Sequence, residues 1–447
     1  MRLTIVVVAL CLAHAYGDDI VGEIAKAPEE LVHGAVDLVD GFFGGGKKYR
    51  NPCTRDISKD YKRSINKFYN RLYNQVAARN DYHFVFSPIS VWLSLSALAE
   101  GADPPLQSQL FNALHLPKEA CARDRYYKIA LSVERTGHDV TFIRRRSLFL
   151  DESLKINPEW ERNTHRNSEG LRLLNFNPAP IKGNPEAASK IMSDFLATPT
   201  NLAVTGNSII LDYLEYQGLW EYAFSEASIH LHPFFDEAHN VLGQVEMMRM
   251  KKRVRLAHVP FMKAKVLELP VGEHGRYTML FASGTENCVI KDAVNIFMSS
   301  IMDIFPLLTM SLVPIDIAIP RFCLTSEFNL RGPLEDIGIR EYWMDPLATS
   351  NSFPRFVSDP PAAPGGLIQH VSVKVGPQGL KAKKRHHSGL LSSLFGLATD
   401  TVSDVAKIVG HDFIADKPFI FALFDTETHT CIFAGAYSKP MPPDMRV

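Results

Sequence analysis

A basic run near the carboxyl end has the clearest potential for chemistry in this 447-residue sequence. Six side chains of the same kind stand within it, namely Lys381, Lys383, Lys384, Arg385, His386 and His387. Trypsin-like and furin-like proteases cleave after Lys or Arg in exposed segments, so the run is typical of a cleavable loop. Neighbouring residues of a strand point to opposite faces, and the two histidines are therefore expected to form no metal site.

Two strand-like apolar segments, residues 368–375 and 418–423, flank the basic run. Segments as long as the one between them are uncommon in compact domains and are usually functional or disordered. Residues 389–409 of this segment place apolar side chains at near-helical spacing, which predicts a helix. That helix would either pack on the protein's own body or contact a partner or membrane surface.

The sequence contains no motif of an enzyme active site. It lacks a Gly-x-Ser-x-Gly elbow, a P-loop and a His-Glu-x-x-His pair. We therefore expect no enzyme, no cofactor and no metal. The formal net charge of −1 gives no general argument for nucleic-acid binding, and none is expected.

The amino terminus has the pattern of a secretory signal over residues 1–17. Arg2 precedes an apolar run at 3–12, and Ala13 to Ala15 has the small-x-small cleavage pattern. No later stretch is apolar enough to predict a transmembrane segment, so we expect a secreted, extracellular protein. Residues 18–50 are predicted to be an amphipathic extension with a Gly-rich linker, and 51–447 the main domain.

Five cysteines remain once the signal is removed, so at least one thiol is left out of intramolecular pairs. Cys53 and Cys121 lie in polar surroundings and are the best candidates for a disulfide. Cys323 and Cys431 lie in apolar strand-like runs and are predicted to be buried free thiols.

Helical periodicity dominates the first half of the main domain and strand patterns the second, which predicts an α+β fold. Helices are expected at 57–78, 87–98, 107–114, 121–133, 185–196, 289–304 and 329–337. Strands at 244–250, 253–258 and 265–269 are predicted to form a meander. The arginines at 144–146 and the basic stretch at 249–255 are expected to face solvent.

Several motifs, in their order along the chain, resemble the serpin family over residues 55–440. They are 84–90 (FVFSPIS), 211–220 (LDYLEYQGLW), 266–270 (VLELP), 319–322 (IPRF), 334–339 (LEDIGI), 416–421 (DKPFIF) and 433–435 (FAG). Asp212 and Glu246 depart from the Asn and Pro of the family pattern.

This resemblance implies three β-sheets, about eight to nine helices and an exposed reactive loop at about 376–412, in a monomer. Inhibitory serpins are cleaved in this loop by a target protease, which they hold as an acyl-enzyme. The loop then inserts into a large sheet as a new strand.

The resemblance places the hinge of the loop at Gly379. Leu380, Ala382, Lys384 and His386 would then face the interior during insertion. An unpaired ammonium at Lys384 costs on the order of several kcal/mol when buried. Insertion is therefore expected to fail, and the protein is predicted to be a non-inhibitory binding protein.

Three functions stay open from the sequence. The first is binding through a basic patch formed by Lys381, Lys383, Lys384 and Arg385. The second is suicide inhibition of trypsin-like serine proteases, with a reactive bond at Arg385–His386 or Ser393–Leu394. The third is a precursor processed after Arg385. Candidate partners are an extracellular serine protease, another protein, or a polyanion such as a glycosaminoglycan.

Overall fold

The computed structural model describes residues 53–134, 139–158, 160, 173–199, 206–272, 275–285, 288–343, 364–380 and 412–440. Contacts divide the chain into two units, Met1–Asp56 and Ile57–Val447. Only residues 53–56 of the first unit are described. The helices and strands of the described residues all lie in the second unit.

Eight α-helices lie in the described part of the chain. They are α1 (Ser58–Ala78), α2 (Pro88–Ala99), α3 (Pro104–Leu114), α4 (Ala120–Ser132), α5 (Pro185–Leu196), α6 (Ile290–Phe297), α7 (Ile301–Leu307) and α8 (Arg331–Asp336). In α1, Tyr61, Ile65, Phe68, Leu72 and Val76 recur every three or four residues and are all buried. None of these helices combines the length and hydropathy of a membrane span.

One sheet of seven strands has the order β1-β16-β15-β9-β8-β7-β10. Its strands are β1 (Phe84–Phe86), β7 (Arg255–Val259), β8 (Ala264–Val271), β9 (Tyr277–Gly284), β10 (Thr309–Met310), β15 (Phe419–Asp425) and β16 (Thr430–Tyr437). The two C-terminal strands are buried along their whole length because they run through the middle of the protein.

A second sheet of nine strands has the order β3-β2-β4-β13-β12-β11-β6-β5, with β14 paired to β11. Its strands are β2 (Val140–Asp151), β3 (Asn175–Ala179), β4 (Ser208–Leu219), β5 (His230–Phe235), β6 (Val241–Lys252), β11 (Ile315–Asn329), β12 (Pro364–Gly376), β13 (Gly379–Leu380) and β14 (Phe413–Ile414).

The long strand β11 belongs to two blocks of this second sheet. Residues 315–321 pair with β6, and residues 322–329 pair with β12. With the seven-stranded sheet, the two blocks make up the three sheets that were expected. The predicted α+β fold is confirmed.

Three of the sequence predictions about local structure are wrong. The expected meander is broken after β6, because β6 pairs with β5 and β11 whereas β7 pairs with β8 in the other sheet. The single helix predicted at 289–304 is two helices, α6 and α7. Arg146, expected to face solvent, is buried.

Apolar side chains cover both faces of the second sheet near β4. Leu214 and Tyr216 belong to a large core cluster. Ile209, Leu211 and Tyr213 form a separate cluster with side chains of α5. Because α5 packs there, strand β4 is buried at every position except Gln217 and Leu219, which are half-buried.

Candidate functional site: the seam of the central sheet

Strands β4 and β12 meet at the middle of the nine-stranded sheet, and we call this boundary the seam. The two strands are parallel and pair directly, from Leu367 opposite Ile210 to Ser372 opposite Glu215. A loop that enters the sheet as a new strand would have to separate them here. Insertion of the loop would therefore require the pairing of β4 with β12 at the seam to be broken.

Beyond Ser372, the short strand β13 lies between β12 and β4. Gly379 pairs with Gly376 and Leu219, and Leu380 pairs with Val375 and Gly218. Strand β13 follows β12 through a two-residue turn at Pro377 and Gln378. The first two residues of the expected hinge thus already occupy the open end of the seam.

Only glycine fits at position 379. Its φ of +147° lies in the region that favours glycine. A Cβ atom there would clash with the carbonyl oxygen of Gly218 and would lie 2.8 Å from the Cα of Leu219. Both obstacles are backbone atoms, which cannot move aside as the end of a side chain can.

Three hydrogen bonds fix the turn before β13 to the segment that follows β4. The indole Nε1 of Trp220 donates to the Gly376 carbonyl at 2.8 Å. The backbone amides of Trp220 and Phe224 donate to the carbonyls of Gln378 (3.0 Å) and Pro377 (2.8 Å). The turn therefore has satisfied acceptors and a fixed position.

Leu380 is fully buried and belongs to the core cluster that contains Val375 and Trp220. The other residues named from the sequence lie outside the described residues. They are Lys381, Ala382, Lys383, Lys384, Arg385, His386, His387, Ser393 and Leu394. The roles assigned to them, and to Gly379 and Leu380 as a hinge, stay predictions.

A group of buried polar side chains crosses the inner side of the seam. The side-chain amide of Gln369 on β12 donates to Asp212 Oδ2 on β4 at 2.7 Å and to the Ser87 carbonyl at 2.9 Å. Its oxygen accepts from the Ser87 amide at 3.0 Å. Gln369 therefore ties together β4, β12 and the start of α2.

Arg146 on β2 stands directly opposite Asp212 in the sheet. It is held by the Leu173 carbonyl, which accepts from Nε at 2.7 Å. Burial lowers the pKa of Arg146 to about 10, and the nearby Asp212 carboxyl opposes this change. Burial raises the pKa of Asp212, against the effects of Arg146 and the Gln369 hydrogen bond.

The outer side of the seam has a row of four stacked or paired side chains. Arg145, Tyr213, His370 and Glu327 stand directly opposite one another on β2, β4, β12 and β11. The Arg145 guanidinium lies 4.4 Å from the Tyr213 ring centre, and the Tyr213 and His370 rings stack at 5.5 Å. His370 Nδ1 lies 3.5 Å from Glu327 Oε2. The Tyr213–His370 stack thus spans the seam on its outer face.

Both cysteines proposed for a disulfide, Cys53 and Cys121, are disulfide-bonded in the structure. Their pairing with each other stays a prediction. Among the described cysteines, Cys288, Cys323 and Cys431 are not in a disulfide. Cys431 is buried as expected, whereas Cys323 is only half-buried.

Sequence reasoning missed the polar seam residues Gln369, Arg146 and His370. A signal was present for each, since polar side chains interrupt apolar strand runs at 144–147 and again at 369–370. Such interruptions are compatible with an exposed strand face as well, and only the strand order decides between the two. Asp212 was noted only as a departure from a family pattern.

The comparisons with known proteins agree with this geometry. The family model described as "Serpin (serine protease inhibitor)" matches residues 63–440. The chain is similar to a leukocyte elastase inhibitor of Sus scrofa, at 21% identity over 79% of this chain and 92% of that protein.

Two further similarities concern proteins named for what they bind. A corticosteroid-binding globulin of Oryctolagus cuniculus is 23% identical over 83% of this chain and 93% of that protein. The solved structure of human thyroxine-binding globulin, at 14% identity, superposes with a TM-score of 0.71 and covers 87% of this chain and 100% of that chain.

Proposed function

The chain belongs to the serpin family, and from this premise we propose that it is a secreted, non-inhibitory serpin that acts by binding through its long basic loop. Members of the family are mostly inhibitors or binding proteins rather than enzymes. The question is therefore whether the seam can accept the loop.

The direct pairing of β4 with β12 is the observation that carries the proposal. Six successive residue pairs close the seam, from Leu367 with Ile210 to Ser372 with Glu215. Side chains bridge it on both faces, through Gln369 with Asp212 and His370 with Tyr213. Opening the seam would break both bridges and leave Asp212 buried without its amide partner, which is costly.

The register of β13 indicates what further insertion would bring. Each additional loop residue would pair one position nearer the amino end of β4 and of β12. Lys384 would then stand opposite Leu214 and Val371. Both of these side chains are almost fully buried in the core. Lys384 would therefore bring an unpaired ammonium into an apolar layer, and burying this charge would cost on the order of several kcal/mol.

The same register supports binding as the role of the loop. Insertion would bring Arg385 opposite Tyr213 and His370, where the Arg145 guanidinium already lies against the Tyr213 ring. Cations that enter the sheet poorly remain available outside it, where a basic patch of Lys381, Lys383, Lys384 and Arg385 would attract an acidic protein or a polyanion. Corticosteroid- and thyroxine-binding globulins, by their names, are binding members with a similar fold.

One observation favours the second function, inhibition of a trypsin-like serine protease. Gly379 and Leu380 already lie between β4 and β12, so the sheet accepts the first hinge residues. The similarity to a leukocyte elastase inhibitor points the same way. Under this alternative, the reactive bond would be Arg385–His386 or Ser393–Leu394.

Incubation with trypsin separates the two functions. The proposal predicts that a denaturing gel shows loop fragments and no band at the combined mass of trypsin and the protein. A stable band at that mass, absent when trypsin is first inactivated at its serine, would overturn the non-inhibitory assignment. Sequencing the fragments would also locate the cut. Processing after Arg385 is tested separately, by whether the secreted protein is recovered already cleaved after that residue.

Secretion rests on residues 1–17 and is tested separately. Expression of the full chain in a secretory cell line is expected to place the protein in the medium with its mature terminus near residue 18. Retention in the cells would contradict this part of the proposal without affecting the trypsin experiment.

A further inference from the structure

A cationic surface lies at the end of strand β6, away from the seam. Arg249, Lys251, Lys252 and Arg253 are all exposed there. In the described part of the chain, none of the four has a carboxylate within ion-pair distance. The closest acidic residue in the sheet register is the half-buried Asp316, which stands opposite Lys251.

Two neighbouring arginines, unlike these four residues, form ion pairs with carboxylates. Arg255 pairs with the buried Glu268 at 2.7 Å, and Arg321 pairs with Glu246 at 3.5 Å. The absence of such partners at positions 249 to 253 therefore leaves an excess of positive charge at this end of the sheet, where Lys252 is on the opposite face of β6 from Arg249 and Lys251. Lys252 has an aromatic neighbour, with its Nζ 4.2 Å from the ring centre of Tyr222.

Exposed apolar side chains lie beside these cations. Leu312 is 91% exposed and Met310 is 53% exposed. Met310 stands opposite Arg255 at the edge of the seven-stranded sheet, in strand β10. Scattered exposed apolar residues are ordinary on protein surfaces. These two differ because they flank Ser311, whose carbonyl accepts a hydrogen bond from the exposed Arg253.

Hydrogen bonds fix the loop that carries Leu312. The amide of Ser311 donates to the Val254 carbonyl at 2.8 Å, and the Val254 amide donates to Ser311 Oγ at 3.2 Å. Arg253 Nε donates to the Ser311 carbonyl at 3.0 Å. The residue before Leu312 is thus fastened to the cationic strip, which keeps the exposed leucine and the cations together.

We propose that this β6–β10 surface, formed by Arg249, Lys251, Lys252, Arg253, Met310 and Leu312, binds membranes that contain anionic phospholipid. Basic side chains are attracted to the negative surface potential of such membranes. Leu312 and Met310 would enter the boundary between headgroups and acyl chains, as the apolar side chains of peripheral membrane proteins do.

The apolar residues favour a lipid surface over a sulfated polysaccharide. A polysaccharide would engage the four cations and leave Leu312 and Met310 in water, whereas an anionic bilayer offers a site for both kinds of side chain. The inference goes beyond the proposed function, because it concerns a surface that does not include the loop and does not depend on whether the loop inserts.

Co-flotation of the full chain with vesicles tests the proposal. Binding is expected with phosphatidylcholine vesicles that contain about 30% phosphatidylserine, which gives the vesicles a negative surface potential. Vesicles of phosphatidylcholine alone are expected to bind little, and raising the salt is expected to weaken binding to the anionic vesicles.

Matched variants assign the binding to this surface. The double variant Lys251→Gln/Lys252→Gln is expected to weaken partitioning by more than tenfold, since each lost cation accounts for about fivefold. The single variant Leu312→Ser, which leaves the charge of the protein unchanged, is also expected to weaken partitioning onto the anionic vesicles. The controls are Lys59→Gln/Lys291→Gln, which removes two exposed cations elsewhere, and Val241→Ser at a side chain that is 63% exposed.

Three outcomes would overturn the proposal. The first is no binding to the anionic vesicles. The second is binding that is unchanged in Lys251→Gln/Lys252→Gln, which would assign the lipid contact to another part of the chain. The third is retention on heparin that depends on the lysines, together with vesicle binding that is indifferent to Leu312→Ser, which would identify a polysaccharide surface.

Discussion

The side-chain amide of Gln369 donates a 2.7 Å hydrogen bond to the buried carboxyl of Asp212, across the boundary between β12 and β4. These are the two strands that must part if the loop is to enter the sheet. Gln369 is fully buried and also bonds both backbone groups of Ser87. The bridge therefore joins the closed seam to the start of the central helix α2.

Replacement of Gln369 by alanine is expected to destabilise the protein by about 3 kcal/mol. The change removes three hydrogen bonds and leaves buried groups of Asp212 and Ser87 without their partner. Urea unfolding would measure the loss. Gln217→Ala is the matched control, because Gln217 lies half-buried on β4 and bonds only the side chain of Glu215. It is expected to cost less than about 1 kcal/mol, and equal losses in the two variants would contradict this account of the seam.

His83 is expected to make the protein less stable in mild acid. Its Nδ1 accepts hydrogen bonds from the amides of Ser438 (3.1 Å) and Lys439 (3.2 Å). Burial, with a smaller contribution from Lys439, lowers the pKa of His83 to about 4. The folded protein therefore holds His83 neutral, while the unfolded chain takes up a proton below about pH 6.5.

The contribution of neutral His83 to the free energy of unfolding is fully present above pH 6.5 and is lost as the pH falls towards 4. Between pH 7 and pH 5, His83 is expected to account for a loss of about 2 kcal/mol. Urea unfolding at the two pH values would show the loss in the wild type and a smaller one in His83→Gln. The control is His258→Gln at an exposed site, and a wild-type pH dependence that survives in His83→Gln would refute the assignment.

Substitution of Gly379 by alanine is expected to expel strand β13 from the sheet. The added Cβ would meet the backbone of Gly218 and Leu219, and the φ of +147° strains any other residue. We expect a loss of about 2 kcal/mol or more in thermal unfolding. Gly332→Ala, whose Cβ would meet only the Arg79 side chain at 3.6 Å, is expected to change stability by less than about 1 kcal/mol. Similar effects of the two changes would contradict the close packing at Gly379.

Local patterns in the sequence were sufficient for most helices and for the α+β class. Helix α1 could be predicted because Tyr61, Ile65 and Phe68 repeat at helical spacing on one buried face. The same kind of pattern did not reveal the break between α6 and α7, because the buried residues Phe297, Ile301 and Ile304 keep three- and four-residue steps across it. The spacing of apolar residues along the chain therefore located the helices, although it did not locate every helix end.

Features that depend on strand order could not be predicted in this way. Arg146 is buried because the Leu173 carbonyl and Asp212 lie next to it in the fold, far away in the sequence. Strands β6 and β7 follow each other closely in the chain but belong to different sheets. The seam bridges through Gln369 and His370 likewise became visible only when β4 and β12 were placed side by side.

The most direct test of the central claim is the thermal stability of the protein after its loop is nicked by chymotrypsin, which cleaves after aromatic residues such as Phe395 and so leaves Lys384 attached to β13. The wild type is expected to gain less than about 3 °C, because Lys384 would have to enter between Leu214 and Val371. The variant Lys384→Thr is expected to gain clearly more. Lys383→Thr, at a position that would face outward opposite Glu215, is expected to behave as the wild type does. A rise of about 10 °C or more in the nicked wild type would show that the loop inserts, and would contradict the proposed closed seam.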